Sequence, residues 1–264
     1  IGIIYNNGIS FDFENMRYAS VLGRIGLAWM FAALIFMNTK NTKVRVIWLF
    51  AILIFYWLLF VFFKAPDLGD PDHYSMRGNI SSYVDRILLP GRFCCYEVGD
   101  NEGILPVISA IGTGLLGMLT GEFLMTQIKP VKKVLYLIIA ALSLIIIGQL
   151  WNLAFPINKN LWSSSFVCFV GGLSVLLLAL FYLIIDVWKF HKWAFFFVVI
   201  GMNPITIYLA NRIIRWDSAN NFFFKGFADL FPESWVPFIM AIGYVVVGWL
   251  FLYVLYRKKI FLKI

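Results

Sequence analysis

Long apolar runs separated by short polar breaks dominate the chain, and the runs set its architecture. Stretches able to cross a hydrocarbon core of roughly 30 Å, at about 20 residues each, fall near 17–38, 44–63, 104–127, 131–151, 162–186, 193–214 and 235–256. Without water in the bilayer, every span must satisfy its own backbone. That leaves helices or a closed barrel, and uninterrupted apolar runs lack the alternation of a barrel. The pattern therefore predicts an all-α, polytopic transmembrane bundle of about seven spans, read as a single transmembrane domain over 1–264. The first and third spans are the most diluted, one by Arg17 and Arg24, the other by Glu122 and several glycines.

The polar breaks are sorted by charge. Lys40, Lys43 and Arg45, then Lys129, Lys132 and Lys133, then Lys189 and Lys192, and finally Arg257, Lys258, Lys259 and Lys263 occupy one set of loops. Nearly every acid falls in the other set, residues 1–16, 64–103, 152–161 and 215–234. Basic loops resist translocation, so the basic set, with the C-terminus, is expected in the cytoplasm and the acidic set outside. Seven crossings that end inside require an external start. No signal peptide is visible, so an even number of further spans is expected before Ile1. The external segment 64–103 is long enough to expect a function, such as a lid.

Composition agrees with lipid as the solvent: 264 residues, 61% hydrophobic, 19% aromatic and 14% charged, too little polar surface to cover a soluble domain. A net charge of +8 would suggest nucleic acid in a soluble protein, but clustering between spans makes it an orienting charge instead. Adjacent Cys94 and Cys95, with Cys168 in an apolar run, indicate neither a zinc site nor a disulfide framework; no metal site is expected.

Several polar positions admit two readings. The G-T-G-L-L-G at 112–117 matches a dinucleotide fingerprint only in letters, because it sits inside a span. Gly117 and Gly121 read instead as a helix-packing pair. Arg17 and Arg24, seven apart, would share a helix face about 10 Å apart along the axis. Arg17 reads equally as an interfacial anchor, whereas Arg24 lies deep enough to need a partner or a function. Asp85 beside Arg86, and Glu102 in D-N-E-G-I, are either helix-end charges or carboxylates at the mouth of an outer site. The turn P-I-N-K-N-L-W at 156–162 carries Asn158 and Asn160 above an aromatic anchor. Asn203 before Pro204 marks either a broken helix lining a polar cavity or a proline kink packed on Ser or Thr. His73 and His191 sit in no motif.

Six segments together resemble the heparan-alpha-glucosaminide N-acetyltransferase family, including its bacterial members of the DUF5009 type. They are R-Y-A-S-V-L-G-R-I (17–25), Y-V-D-R-I-L-L (83–89), E-G-I-L (102–105), P-I-N-K-N-L-W-S (156–163), G-M-N-P-I-T-I-Y (201–208) and Y-R-K-K-I-F-L-K-I (256–264). The resemblance implies eleven helices in the full protein, this chain supplying the C-terminal seven, in a bacterial inner membrane. It implies transfer of acetyl from cytosolic acetyl-CoA to the amine of an external amino sugar. The catalytic histidine is expected in the missing N-terminal helices, so no catalytic residue is assigned here. By motif position, Arg17, Arg24 and Asn203 become candidates for binding acetyl-CoA, and Asp85, Glu102, Asn158 and Asn160 for binding the sugar. Membrane lipid and the acceptor are the implied partners; family members can be homodimers, and nucleic acid is not implied. A second reading, from a different class, is an amino-sugar permease for N-acetylglucosamine or N-acetylmuramic acid.

Overall fold

The computed structural model describes residues 1–8, 12 and 14–262; Lys263 of the C-terminal basic cluster lies outside the described residues. Among the described residues, six helices are long and apolar enough to cross a membrane: α1 (Val21–Asn38), α2 (Thr42–Phe62), α4 (Pro106–Leu124), α5 (Pro130–Trp151), α6 (Ser164–Tyr182, prolonged by a wider turn to Val187) and α10 (Val236–Arg257). The bent pair α7 (Phe195–Gly201) and α8 (Pro204–Ile213) makes a seventh if counted as one span. The protein is an integral membrane protein, and the spans fall where the apolar runs place them. The chain divides into two compact units, Ile1–Trp188 and Lys189–Ile264, where the sequence reads as one domain.

In the first unit, helix starts follow local chemistry. Ser20 Oγ accepts from Gly23 N at 3.0 Å and opens α1, while Asn41 caps α2. Pro106 and Pro130 occupy first positions of α4 and α5, where a missing N–H costs nothing. The Ser20 cap corrects one expectation: α1 begins at Val21, so Arg17 lies in the extended stretch before it and does not share a helix face with Arg24. The core joins Leu49 and Leu53 of α2, Leu115 of α4, Leu137 and Ala141 of α5, and Cys168 and Val175 of α6. Close approach comes from small residues, but not the pair expected. A Cβ at Gly172 would stand 2.7 Å from Ala141 O, and one at Gly148 2.6 Å from Phe169 N, so α5 and α6 touch backbone to backbone. A Cβ on Gly117 or Gly121 would meet nothing within 4 Å among the described residues.

Helix alternation puts the acidic segments of this unit at one end and the basic ones at the other. At the acidic end, Tyr56, Phe60, Phe155 and Leu161 form a second, aromatic core, with Tyr56 Oη donating to Leu161 O at 2.6 Å. The external segment 64–103 is ordered rather than open. It contains α3 (Ile80–Leu88), capped by Asn79, and a short hairpin of β1 (Cys95–Tyr96) and β2 (Gly99–Asp100). Cys94 is disulfide-bonded, which the sequence reading does not anticipate, and Cys168 is free and buried.

In the second unit, α7 and α8 meet at 59° across Met202 and Asn203. Helix α9 (Trp216–Ala228) occupies most of the stretch expected to be an external loop at 215–234. It packs along α10, where Asn220 Nδ2 donates to Met240 O at 2.9 Å and Gly243 leaves room for Asn220 and Phe224.

Candidate functional site

The polar residues of the acidic end converge on the segment 99–104, which α3 pins in place. Asp85, fully buried on α3, accepts from Ile104 N at 2.9 Å and Asp100 N at 3.4 Å. A Cβ at Gly103 would overlap the Asp85 carboxylate, and one at Gly99 would crowd Ser82. Small residues are thus required for the segment to lie this close. Burial pushes the Asp85 carboxyl up to about 6, against the two backbone N–H groups, which pull it down.

Asp100 receives Arg17 in a two-pronged pair, Nε at 2.8 Å and Nη2 at 2.5 Å, and accepts from Cys94 N at 2.8 Å and Glu102 N at 2.9 Å. Burial of Asp100 favours its neutral form, but these donors together outweigh it and hold the carboxyl below its ordinary value. Hydrogen bonding to Asp100 raises Arg17 in turn, against partial burial. Such bidentate pairs fix direction as well as charge.

Glu102 bridges the two arginines. It pairs with Arg17 Nη2, and its other oxygen lies 3.6 Å from Arg24 Nη2. Arg24, 6% exposed on the first turn of α1, donates to Asn101 O at 3.0 Å, and its guanidinium lies 4.0 Å from the ring centre of Trp162. Trp162 Nε1 donates to Thr113 Oγ1 at 3.1 Å. Asn101 Oδ1 is buried with no hydrogen-bond partner among the described residues, an acceptor aimed at nothing in a neighbourhood where polar groups are otherwise matched. The arrangement can bind a carbonyl or an anion through Arg24 and an amine or hydroxyl through Glu102 and Asn101.

The sequence-derived candidates are distributed unevenly. Arg17, Arg24 and Glu102 are brought together. Asn160 joins them through its turn: Nδ2 donates to Tyr96 Oη at 2.7 Å, tying 156–162 to the hairpin. Asn158 serves that turn internally, accepting from Asn160 N at 2.8 Å, and Asp85 holds the segment from beneath. Asn203 lies in the second unit, fully buried, where Oδ1 accepts from Thr206 Oγ1 and Leu262 N, both at 3.2 Å, and Nδ2 donates to Ile260 O at 3.0 Å. The amide thus fills the break before Pro204 and fastens the C-terminal stretch. His73 Nδ1 meets Phe60 O at 3.0 Å. Sequence reasoning missed the roles of Asp100, Asn101, Thr113 and Tyr96, and took Trp162 for an anchor. Only its place beside two asparagines in one turn signalled otherwise.

No protein-family model matches the chain. It is similar to Heparan-alpha-glucosaminide N-acetyltransferase of Mus musculus and to the protein of the same name of Homo sapiens. Each is 31% identical over 222 residues, covering 75% of this chain and 32% of the relative. The chain thus spans about a third of the length of the curated relatives it matches.

Proposed function

Taking as premise that the chain is a homologue of the heparan-alpha-glucosaminide N-acetyltransferases, we propose that it forms part of a membrane N-acetyltransferase. The enzyme moves acetyl from acetyl-CoA to the amine of an amino sugar, and the acidic end of residues 1–188 is the acceptor face. The basic end then lies in the cytoplasm, as the positive-inside rule requires.

One observation carries the reading. Arg24 is buried, charged, and held by partners that leave part of its donor fork unused: a planar guanidinium has five N–H groups, and Asn101 and Glu102 engage two. A cation kept inside a span with part of its donor fork unpaired is a candidate functional site. When an amine attacks the acetyl carbonyl, negative charge grows on the carbonyl oxygen. A donor fixed in advance, in a site that excludes water, stabilises that charge without reorganising. Arg24 is so fixed, by Trp162 beneath it and Glu102 beside it.

Glu102 and the free Asn101 Oδ1 orient the acceptor amine. Attack needs that amine neutral, so a base must take a proton. Glu102, committed to two guanidinium groups, orients rather than abstracts, and the base comes from a histidine that the family resemblance puts before residue 1. Asp85 and Asn158 hold the frame of this site, while Asn203 fastens its own unit.

The test places the intact protein in proteoliposomes with labelled acetyl-CoA inside and glucosamine outside. Label on the external sugar is the expected result. Entry of unmodified sugar with no acetylated product would replace this reading with the permease.

A further inference from the structure

Beside the Arg24–Trp162 stack, between α1 and α4, lies a cavity of about 220 Å³ lined by Arg24, Ile25, Ala28, Thr113, Gly114 and Trp162, among others. Resting on the acetyl-transfer reading, we infer that this cavity receives the acyl group of the donor and that Trp162 sets the acyl length the enzyme accepts.

Size gives the first argument. Pockets that take whole drug-sized ligands run from about 300 to 1,000 Å³, whereas an apolar cavity of about 150 Å³ holds a benzene ring, so this one suits an acyl group with the end of its carrier arm rather than a nucleotide. Its chemistry matches a short acyl group. Ala28 and Gly114 form an apolar floor, and the seam below is shut, because a Cβ on Gly114 would stand 2.9 Å from Ala32 Cβ. The polar groups lie on one side only: the guanidinium of Arg24 and the Thr113–Trp162 pair. Among the described residues, Arg24 meets no side-chain or backbone acceptor beyond Asn101 and Glu102. A carbonyl oxygen under the fork, with its methyl group on the apolar floor, satisfies both sides.

Trp162 itself gives the second argument. Its backbone sits at φ +50°, in the left-handed region that costs any residue with a Cβ and is an outlier for a bulky one. A residue held in that region by its surroundings is a recurrent feature of binding sites. Here the strained turn brings the indole against Arg24, with Phe166 packed at its edge, ring centres 5.1 Å apart. The indole walls the cavity and fixes the donor fork together, so acyl size and carbonyl position are read by one side chain.

Discrimination by an apolar wall is worth about tenfold or more per methylene. The wild-type protein is therefore expected to use butyryl-CoA at least 10-fold less well than acetyl-CoA, judged by kcat/KM. The test compares acetyl- and butyryl-CoA in the intact protein carrying Trp162→Ala, Trp162→Phe or Ile25→Ala. Ile25 is 57% exposed, so Ile25→Ala widens the cavity from its outer side with little risk to folding. Both alanine variants should raise the butyryl-to-acetyl ratio about 10-fold, while Trp162→Phe should keep acetyl selectivity near that of the wild type. An unchanged ratio in both folded alanine variants, with transfer intact, overturns the inference and leaves the acetyltransferase reading standing. Absence of any acyl transfer by the wild-type protein removes both.

Discussion

The two ends of the first unit each bury an arginine near a glutamate, and they use it differently. At the basic end, Arg45 is closed: Nη1 pairs with Glu122 at 2.7 Å, Nε donates to Thr39 O at 2.7 Å, Nη2 donates to Phe36 O at 3.1 Å, and the Phe36 ring lies 3.6 Å away. Each guanidinium nitrogen has a protein acceptor, and the result locks the α1–α2 turn onto the end of α4. At the acidic end, Arg24 is equally buried but stands over a cavity, and its Nε meets no protein acceptor among the described residues. An orphan acceptor does not separate the ends, since Glu122 Oε2 at the basic end is buried without a partner just as Asn101 Oδ1 is at the acidic end. A buried ion pair by itself says little about function; what separates the two ends is that all three guanidinium nitrogens of Arg45 have a protein acceptor, whereas only two of the three in Arg24 do.

The largest expected effect is on chemistry at the open end. Arg24→Gln should lower the acetylation rate by about 10²-fold or more, the usual loss on removing a charge-stabilising donor, with the folded yield retained. Steady-state kinetics in proteoliposomes checks it. Rates within a fewfold of the wild type would erase the distinction between the ends.

The open end should also be the pH-sensitive one. Burial raises the folded-state carboxyl of Asp85 from 3.8 to about 6. Stability contributed by neutral Asp85 is therefore fully present below about pH 4 and lost as pH rises through about 6. Asp100 runs the opposite way, since its depressed carboxyl contributes stability that is lost on acidification. Comparing Asp85→Asn with the wild type isolates the first effect. The variant should gain on the wild type as pH rises from 4 to 7, by up to about 3 kcal/mol, read from denaturation midpoints across that range. A constant difference between the two proteins would contradict it.

At the closed end, Arg45→Gln should cost about 2 kcal/mol of stability, below the range for a fully buried pair because Glu122 is about a third exposed. Activity per folded molecule should not change. The smallest effect sharpens the account of Trp162. Because its φ is positive, Trp162→Gly should be more stable than Trp162→Ala by about 1 kcal/mol, the reverse of the order at an ordinary position. Thermal denaturation of the two variants in the same detergent decides it.

Much of this architecture is legible in the residues, and what is not has physical causes. The spans are legible because crossing a bilayer demands long apolar runs, and their starts because Ser20, Asn41, Pro106 and Pro130 act locally. The stretch 215–234 misleads because its alternation of acids, asparagines and phenylalanines suits an exposed loop. The helix there becomes visible only when Asn220 finds a backbone carbonyl on α10. Gly117 and Gly121 mislead because a motif does not say which way its face points. At the site, Arg24 and Glu102 stand out as charges where charge is expensive. The bonds from Arg17 to Asp100, the stack on Trp162 and the orphaned Asn101 oxygen depend on segments far apart in sequence, and no local pattern announces them.

The most direct test measures transfer of labelled acetyl from internal acetyl-CoA to external glucosamine side by side for the wild type, Arg24→Gln and Arg45→Gln, scaled to folded protein. The expected result is transfer by the wild type and Arg45→Gln and next to none by Arg24→Gln. Equal transfer by all three would contradict the claim that the unexhausted arginine is the working one.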